Sequence, residues 1–196
     1  MRKIIVLIAL SLIVTTTFAQ KKKSSKEPKN GSVLAKSDNL AVEVKAGNFQ
    51  LTINDNGKAK DAIIIKAADV KFAPTNCKLT AFTANGTKLY LLTWTELTQN
   101  KTDLKTEDIT IVYSNIYEIG SKKLVFSNVQ STNHIVEKVF LDRLKQASET
   151  QEKMRREGFE FTLNPDGSVT QKNKTQENKL VYDVAKIEYI DVKRKK

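Results

Sequence analysis

Histidine and cysteine occur once each in the 196 residues, as His134 and Cys77, so His/Cys metal clusters, paired-cysteine zinc sites and internal disulfide frameworks are excluded by count. A Ser-His-Asp triad would have to use His134. Walker loops, dinucleotide fingerprints and nucleophile elbows are absent, and no cofactor is indicated. Glycine (7) and proline (3) are scarce beside 40% hydrophobic and 28% charged residues, which excludes collagen-like, Pro-rich and wholly disordered chains. The composition is that of a globule with one core.

The first nineteen residues have the order of a secretory signal peptide. Arg2 and Lys3 precede the apolar run Ile4 to Val14, and Thr17-Phe18-Ala19 supplies small residues before a cut at Gln20. As a helix that run would rise about 16 Å, roughly half of a ~30 Å hydrocarbon core, so a cleaved signal is favoured over an anchor. Cys77 lies too deep in the chain to take a lipid at the cleavage point. The expectation is an exported protein, periplasmic or extracellular, with no transmembrane segment after cleavage.

The formal charge of +11 suggests nucleic acid until it is partitioned along the chain. Residues 20–39 hold six lysines against Glu27 and Asp38, and residues 193–196 are all basic. Between 40 and 192 there remain 21 basic and 20 acidic residues, so the body is nearly neutral. Segment 20–39, rich in Lys, Ser and Asn, reads as a flexible basic linker and 193–196 as a basic tail. Lys21, Lys22, Lys23, Lys26, Lys193, Arg194, Lys195 and Lys196 are the candidate contacts to anionic lipid or envelope polymer. Neither segment interleaves the aromatics that nucleic-acid binding uses, and no specific nucleic acid is expected.

The body, 40–192, alternates apolar and polar residues as strands do. Residues 40–45 and 49–53 predict two strands before Asn54-Asp-Asn-Gly57. Asn85-Gly86 between alternating runs predicts a hairpin whose paired positions sum to 171. Ala81 then faces Tyr90, Leu79 faces Leu92 and Cys77 faces Trp94 on one apolar side, which buries Cys77. A further hairpin over 108–129, with Gly120-Ser121 as a type II′ loop, pairs Tyr117 with Leu124, Ile116 with Val125 and Glu118 with Lys123. The pattern then changes. Ile135, Val136, Val139, Phe140, Leu144 and Ala147 fall on one helical stripe, Asn133 is an N-cap, and Gly158 follows the end. Glu149–Lys153 and Glu152–Arg156 add i,i+4 pairs, so a long helix is predicted over 134–157. Strands resume at 159–163, Asn164-Pro-Asp-Gly167 is a turn, and Leu180 to Val192 is a last strand that also fits a helix at Leu180, Val184 and Ile187.

One internal echo stands out. Phe49 to Gly57 and Phe159 to Gly167 share Phe-x-apolar-Thr-apolar-Asn-x-Asn/Asp-Gly, and Ala68 to Phe72 aligns with Ala185 to Tyr189. Either a duplication or convergent strand-and-turn chemistry accounts for it.

Carboxylates are the only plentiful catalytic groups. Asp103, Glu107 and Asp108 could form a hydrolytic pair, yet they alternate with Lys101 and Lys105 in what reads as a solvated turn. Asn54, Asp55, Asn56 and Asp61 imitate a calcium loop, but counting back from Gly57 puts Ile63 where the acid is required. His134 reads as an exposed residue at a helix start, so no catalytic, cofactor or metal residue is assigned. The fold expected is α+β, an antiparallel hairpin-built sheet, open to folding into a sandwich, with one long helix. The function expected is a non-catalytic binding or accessory protein of the cell envelope, taking a protein or envelope component on its sheet surface. Attachment by the basic tails is the alternative, and a carboxylate hydrolase comes third.

Overall fold

Strand follows strand without interruption in a computed structural model that describes residues 32–69 and 71–192. The elements are β1 (Val33–Ser37), β2 (Leu40–Lys45), β3 (Asn48–Asp55), β4 (Lys58–Ala67), β5 (Thr75–Ala84), β6 (Thr87–Lys101), β7 (Lys105–Glu118), β8 (Lys123–Phe140), β9 (Ser148–Gly158), β10 (Glu160–Leu163), β11 (Val169–Lys172), β12 (Glu177–Asp183) and β13 (Glu188–Asp191). They form three antiparallel meanders in chain order, β1 to β4, β5 to β9 and β10 to β13. The α+β expectation is therefore corrected to all-β, with no helix among the described residues and so none long and apolar enough to cross a membrane.

The segment expected to be helical, 134–157, is the outer part of a long hairpin. β8 lies between β7 and β9 and pairs with both, so its extended backbone is satisfied on either side. Ile135 and Val139 point to one face while Val136 and Phe140 point to the other, and apolar residues at both parities imitate a helical stripe. Ile135, Val136 and Val139 are β-branched and Phe140 is aromatic, side chains that suit a strand. Asn133 is a mid-strand residue rather than a cap, and the pairs read as i,i+4 are replaced by cross-strand pairs such as Lys153–Glu137.

Local turn chemistry sets the registers. Asn56-Gly57 and Asn85-Gly86 carry positive φ at both residues, the requirement of a type I′ hairpin. Leu79↔Leu92 and Ala81↔Tyr90 pair as expected, but a bulge between Thr75 and Lys78 displaces Cys77 from its place opposite Trp94. The 119–122 turn differs from expectation, since its left-handed residue is Lys122 and not Gly120. Tyr117↔Leu124 and Glu118↔Lys123 hold, while a bulge shifts Ile116 from Val125 to Phe126. Leu180 to Val192 holds parts of two strands, β12 and β13, with a turn between them.

The three meanders stack with the five-stranded one in the middle. On β6, Tyr90, Leu92 and Trp94 enter a core with Leu40, Val42, Phe49 and Leu51 of the first sheet. Leu89 and Leu91 enter a second core with Val169, Tyr182 and Tyr189 of the last sheet. Alternating residues of one strand thus serve opposite cores. The chain crosses from the central to the last sheet at Gly158, whose φ is +82° and where a Cβ would lie 2.2 Å from the Val129 carbonyl oxygen. Asn128 secures that crossing, donating to the Phe159 carbonyl at 2.9 Å and accepting from Gln171 at 2.7 Å.

Residues 1–31 and 193–196, with the expected signal peptide and most of the net positive charge, lie outside the described residues. Within the expected linker, however, Val33–Ser37 form β1, and Leu34 and Ala35 pack on the first core. Asp38 in the following turn accepts from Tyr90 Oη at 3.0 Å and pairs with Lys88 at 2.9 Å, which holds its carboxyl below the usual range. The Lys-rich composition of 20–39 as a whole conceals this short apolar strand.

Candidate functional site

The central strands outrun their covers. β6, β7 and β8 have 15, 14 and 18 residues, whereas the last sheet has strands of 4 to 7. Neither hydrophobic core contains a residue from 95–112 or 127–158. The outer half of the sheet is accordingly a blade with two faces and two open edges, the end of β6 beyond Thr95, which β5 does not reach, and β9. The β9 edge alternates charges, Glu149, Glu152, Lys153, Arg155 and Arg156, which discourages indiscriminate strand addition.

At the root of the blade, Glu96 accepts from Lys66 Nζ at 2.9 and 3.0 Å and from Trp94 Nε1 at 2.8 Å. Trp94 stacks on Tyr113 with centroids 4.5 Å apart, and Lys66 Nζ lies 4.8 Å from the Phe72 ring centroid. Burial raises the Tyr113 phenol above its ordinary pKa, with the Glu96 charge acting in the same direction. A half-open cleft of about 470 Å³ lies here, lined by Lys66, Asp69, Lys71, Phe72, Leu97 and Thr98 among others. Because the Glu96 oxygens are engaged by an ammonium and an indole, the cleft suits docking of a side chain better than proton transfer.

On the face continuous with the first core, Ile109, Ile111, Ile135 and Val139 form an apolar stripe. Ile135 is only 4% exposed without help from another sheet. Lys105–Glu107 at 2.6 Å and Lys153–Glu137 flank the stripe, and each lysine lowers its partner carboxyl's pKa. The opposite face carries Val112, Val136, Met154 and Leu97 beside a polar row. Gln99 donates to Asp108 at 2.6 Å, Asp108 lies 4.0 Å from His134 Nδ1, and His134 Nε2 lies 2.6 Å from Glu152.

Those positions correct two readings. His134 sits mid-strand between two carboxylates and not at a helix start, and its partners are too distant in sequence for spacing to reveal. Glu107 and Asp108 are successive strand residues on opposite faces, and Asp103 lies in the turn beyond them, so the three acids share no site. Among the described residues no group of three His, Cys, Asp or Glu side chains is placed to hold a metal ion.

Lys21, Lys22, Lys23, Lys26, Lys193, Arg194, Lys195 and Lys196 lie outside the described residues. Cys77 packs half-buried against the first core, and desolvation pushes its thiol up to about 11. The Phe49 and Phe159 echoes are both strand-turn-strand, but the first occupies strands three and four of its sheet and the second strands one and two. Phe72 lies outside the strands whereas Tyr189 is in β13, so the downstream alignment joins unlike positions. No family model, curated protein or solved structure matches the chain.

Proposed function

We propose that this chain is an exported, non-catalytic binding or accessory protein of the cell envelope that engages a protein or envelope component through the uncovered half of its central sheet. The observation that carries the reading is the blade itself, since long paired strands extend beyond both covering layers and leave apolar residues on each face. Polar rows and ion pairs beside these residues would fix a partner's orientation.

Photocrosslinkers at Ile111 and Met154, on opposite faces, test this against one at Lys58, the first residue of β4 after the Asn56-Gly57 turn. A discrete adduct in cells from one blade face and none from position 58 supports the reading. Silence at both faces, or equal capture at all three positions, refutes it. Export has its own check, because the chain recovered from the envelope or medium should begin at Gln20 by intact mass. Full-length chain in the membrane fraction would overturn it.

The charge partition favours a compatible second reading, electrostatic attachment of the Lys-rich segments to anionic lipid or polymer. Removing residues 20–31 and 193–196 should then abolish salt-sensitive binding to such surfaces. Unchanged binding would exclude it.

A further inference from the structure

We infer that β9 is a self-pairing edge, through which two copies of this chain join their central sheets antiparallel about a two-fold axis at Gln151. β9 has a neighbour on one side only, β8, and is exposed along almost its whole length. Free edges are ordinarily blunted by shortness, proline or a bulge. β9 has 11 residues, no proline and an unshifted ladder to β8 from Ser148 to Gly158. The other open edge, on β6, runs only from Glu96 to Lys101.

Backbone parity fixes what this edge offers. The Leu141 amide donates to the Ala147 carbonyl at 3.0 Å, and ladder bonds alternate from there. Glu149, Gln151, Lys153 and Arg155 therefore turn their amides and carbonyls to β8, while Ser148, Thr150, Glu152, Met154 and Arg156 turn theirs outward. A two-fold axis normal to the sheet keeps every side chain on its own face, so a residue can meet only residues of its own parity. Few registers remain, and charge decides among them. An axis at Glu149, Glu152, Lys153, Arg155, Arg156 or Glu157 sets that residue against its own copy, and one at Met154 sets Lys153 against Arg155. An axis at Ser148, Thr150 or Gly158 joins no opposite charges within β9. At Gln151, Glu149 faces Lys153 of the second copy twice over, and no like charges stand opposite. Ser148 to Met154 then pair with their counterparts through about eight new backbone hydrogen bonds. Because the matching charges lie on the same strand, the occupant that fits is a second copy.

Side chains on both faces suit this register. On one face Lys153 stands between its own Glu137 and Glu149 of the second copy. On the other, Met154, 57% exposed, meets the small Ser148 of the second copy, beside which that copy's Phe140 offers a ring to the thioether. Glu152 meets Thr150 of the second copy, backed by that copy's Lys138, and keeps its own His134 at 2.6 Å; both neighbours offset the diagonal approach of the two Glu152 carboxylates. Arg155, Arg156 and Glu157 fall beyond the ladder, level with the second copy's exposed 141–147 turn, whose Arg143 and Lys145 outnumber Asp142. The repulsion there, screened by salt, confines pairing to Ser148–Met154. Antiparallel pairing sends the two covered bodies to opposite ends, with the joined blades as one continuous sheet between them.

This pairing goes beyond the reading of the blade's faces and leaves both faces open. A Met154 photoadduct of twice the chain mass would report it, and one of another mass a face-bound partner. A ladder this short makes a weak contact, so it is read at about 0.1 to 1 mM chain, and in dilute monomer Glu149 and Lys153 stay uncoupled. Sedimentation equilibrium of the full chain carrying Cys77→Ser should show monomer and dimer in exchange. Glu149→Lys or Lys153→Glu sets like charges opposite twice and should weaken the dimer about ten-fold or more. An equal mixture of the two variants restores both opposite pairs and should dimerise about as tightly as the parent. Cysteines read the register. Gln151→Cys brings two Cα atoms to about 4.5 Å, within disulfide reach, whereas Lys153→Cys and Met154→Cys do not, so mild oxidation should link position 151 at least about ten-fold faster. A chain still monomeric at about 1 mM, a mixture no tighter than either variant alone, or linkage at 153 or 154 as fast as at 151 would each overturn the inference.

Discussion

Gly158 and Gly57 both have φ near +80°, yet substitution should separate them widely. A Cβ at 57 meets nothing within 4 Å, so Gly57→Ala carries only the left-handed backbone cost of about 1–2 kcal/mol. At 158 the same atom strikes the Val129 carbonyl on a strand that cannot retreat, and Gly158→Ala should cost at least about 2 kcal/mol more. Urea midpoints of the two variants measure the difference. Cys77 makes a second prediction at this scale. Its native pKa of about 11 lies above the unfolded value of 9.0, so between those limits the unfolded thiol ionises while the native one keeps its proton. Stability should fall as pH rises through that window, and Cys77→Ser should flatten the fall. Thiol reagents should label the native protein more slowly than the unfolded one, and equal rates would contradict the burial.

Ion pairing discriminates between the two conformations of the 134–157 segment at the level of elements. A helix would couple Glu149 to Lys153, four residues apart, whereas the β8–β9 hairpin couples Glu137 to Lys153 across the sheet. Double-mutant cycles should give a few tenths to about 1 kcal/mol for Glu137/Lys153 and nothing measurable for Glu149/Lys153. Far-UV circular dichroism should correspondingly lack the double minimum of a helix. The hairpin turns were legible in sequence because Asn85-Gly86 and Asn164 to Gly167 impose their geometry on neighbours only. The bulges at Thr75/Lys78 and Ile116/Tyr117 were not, because each depends on what the displaced residues meet in another layer.

Stacking three sheets makes the whole molecule depend on one shared strand. Leu91 and Leu92 are successive residues of β6 that enter opposite cores, and both are buried. Leu91→Ala and Leu92→Ala should therefore each cost about 2–5 kcal/mol, against ~0.5 kcal/mol or less for exposed Leu97→Ala on the same strand. Chemical denaturation reads all three. A near-neutral outcome for Leu91→Ala would mean that the last sheet does not cover the central one in solution. The same architecture produces the blade, since short outer strands cannot cover strands of 14 to 18 residues.

Local chemistry was sufficient for the hairpin registers around Asn85-Gly86 and Glu118↔Lys123, for the apolar side that carries Leu79, Tyr90 and Trp94, and for the segregation of charge outside residues 40–192. Each is settled within a few residues or by counting. Only the tertiary structure decided that Leu89 and Leu91 face a second core, that His134 lies between Asp108 and Glu152, and that Ile135 to Phe140 extend rather than coil. The physical reason is that apolar residues at both parities of a strand resemble a helical stripe until the chain supplies partners. β7 and β9 provide the long-range hydrogen bonds that choose between the two conformations, and nothing in the spacing of 134–157 records them.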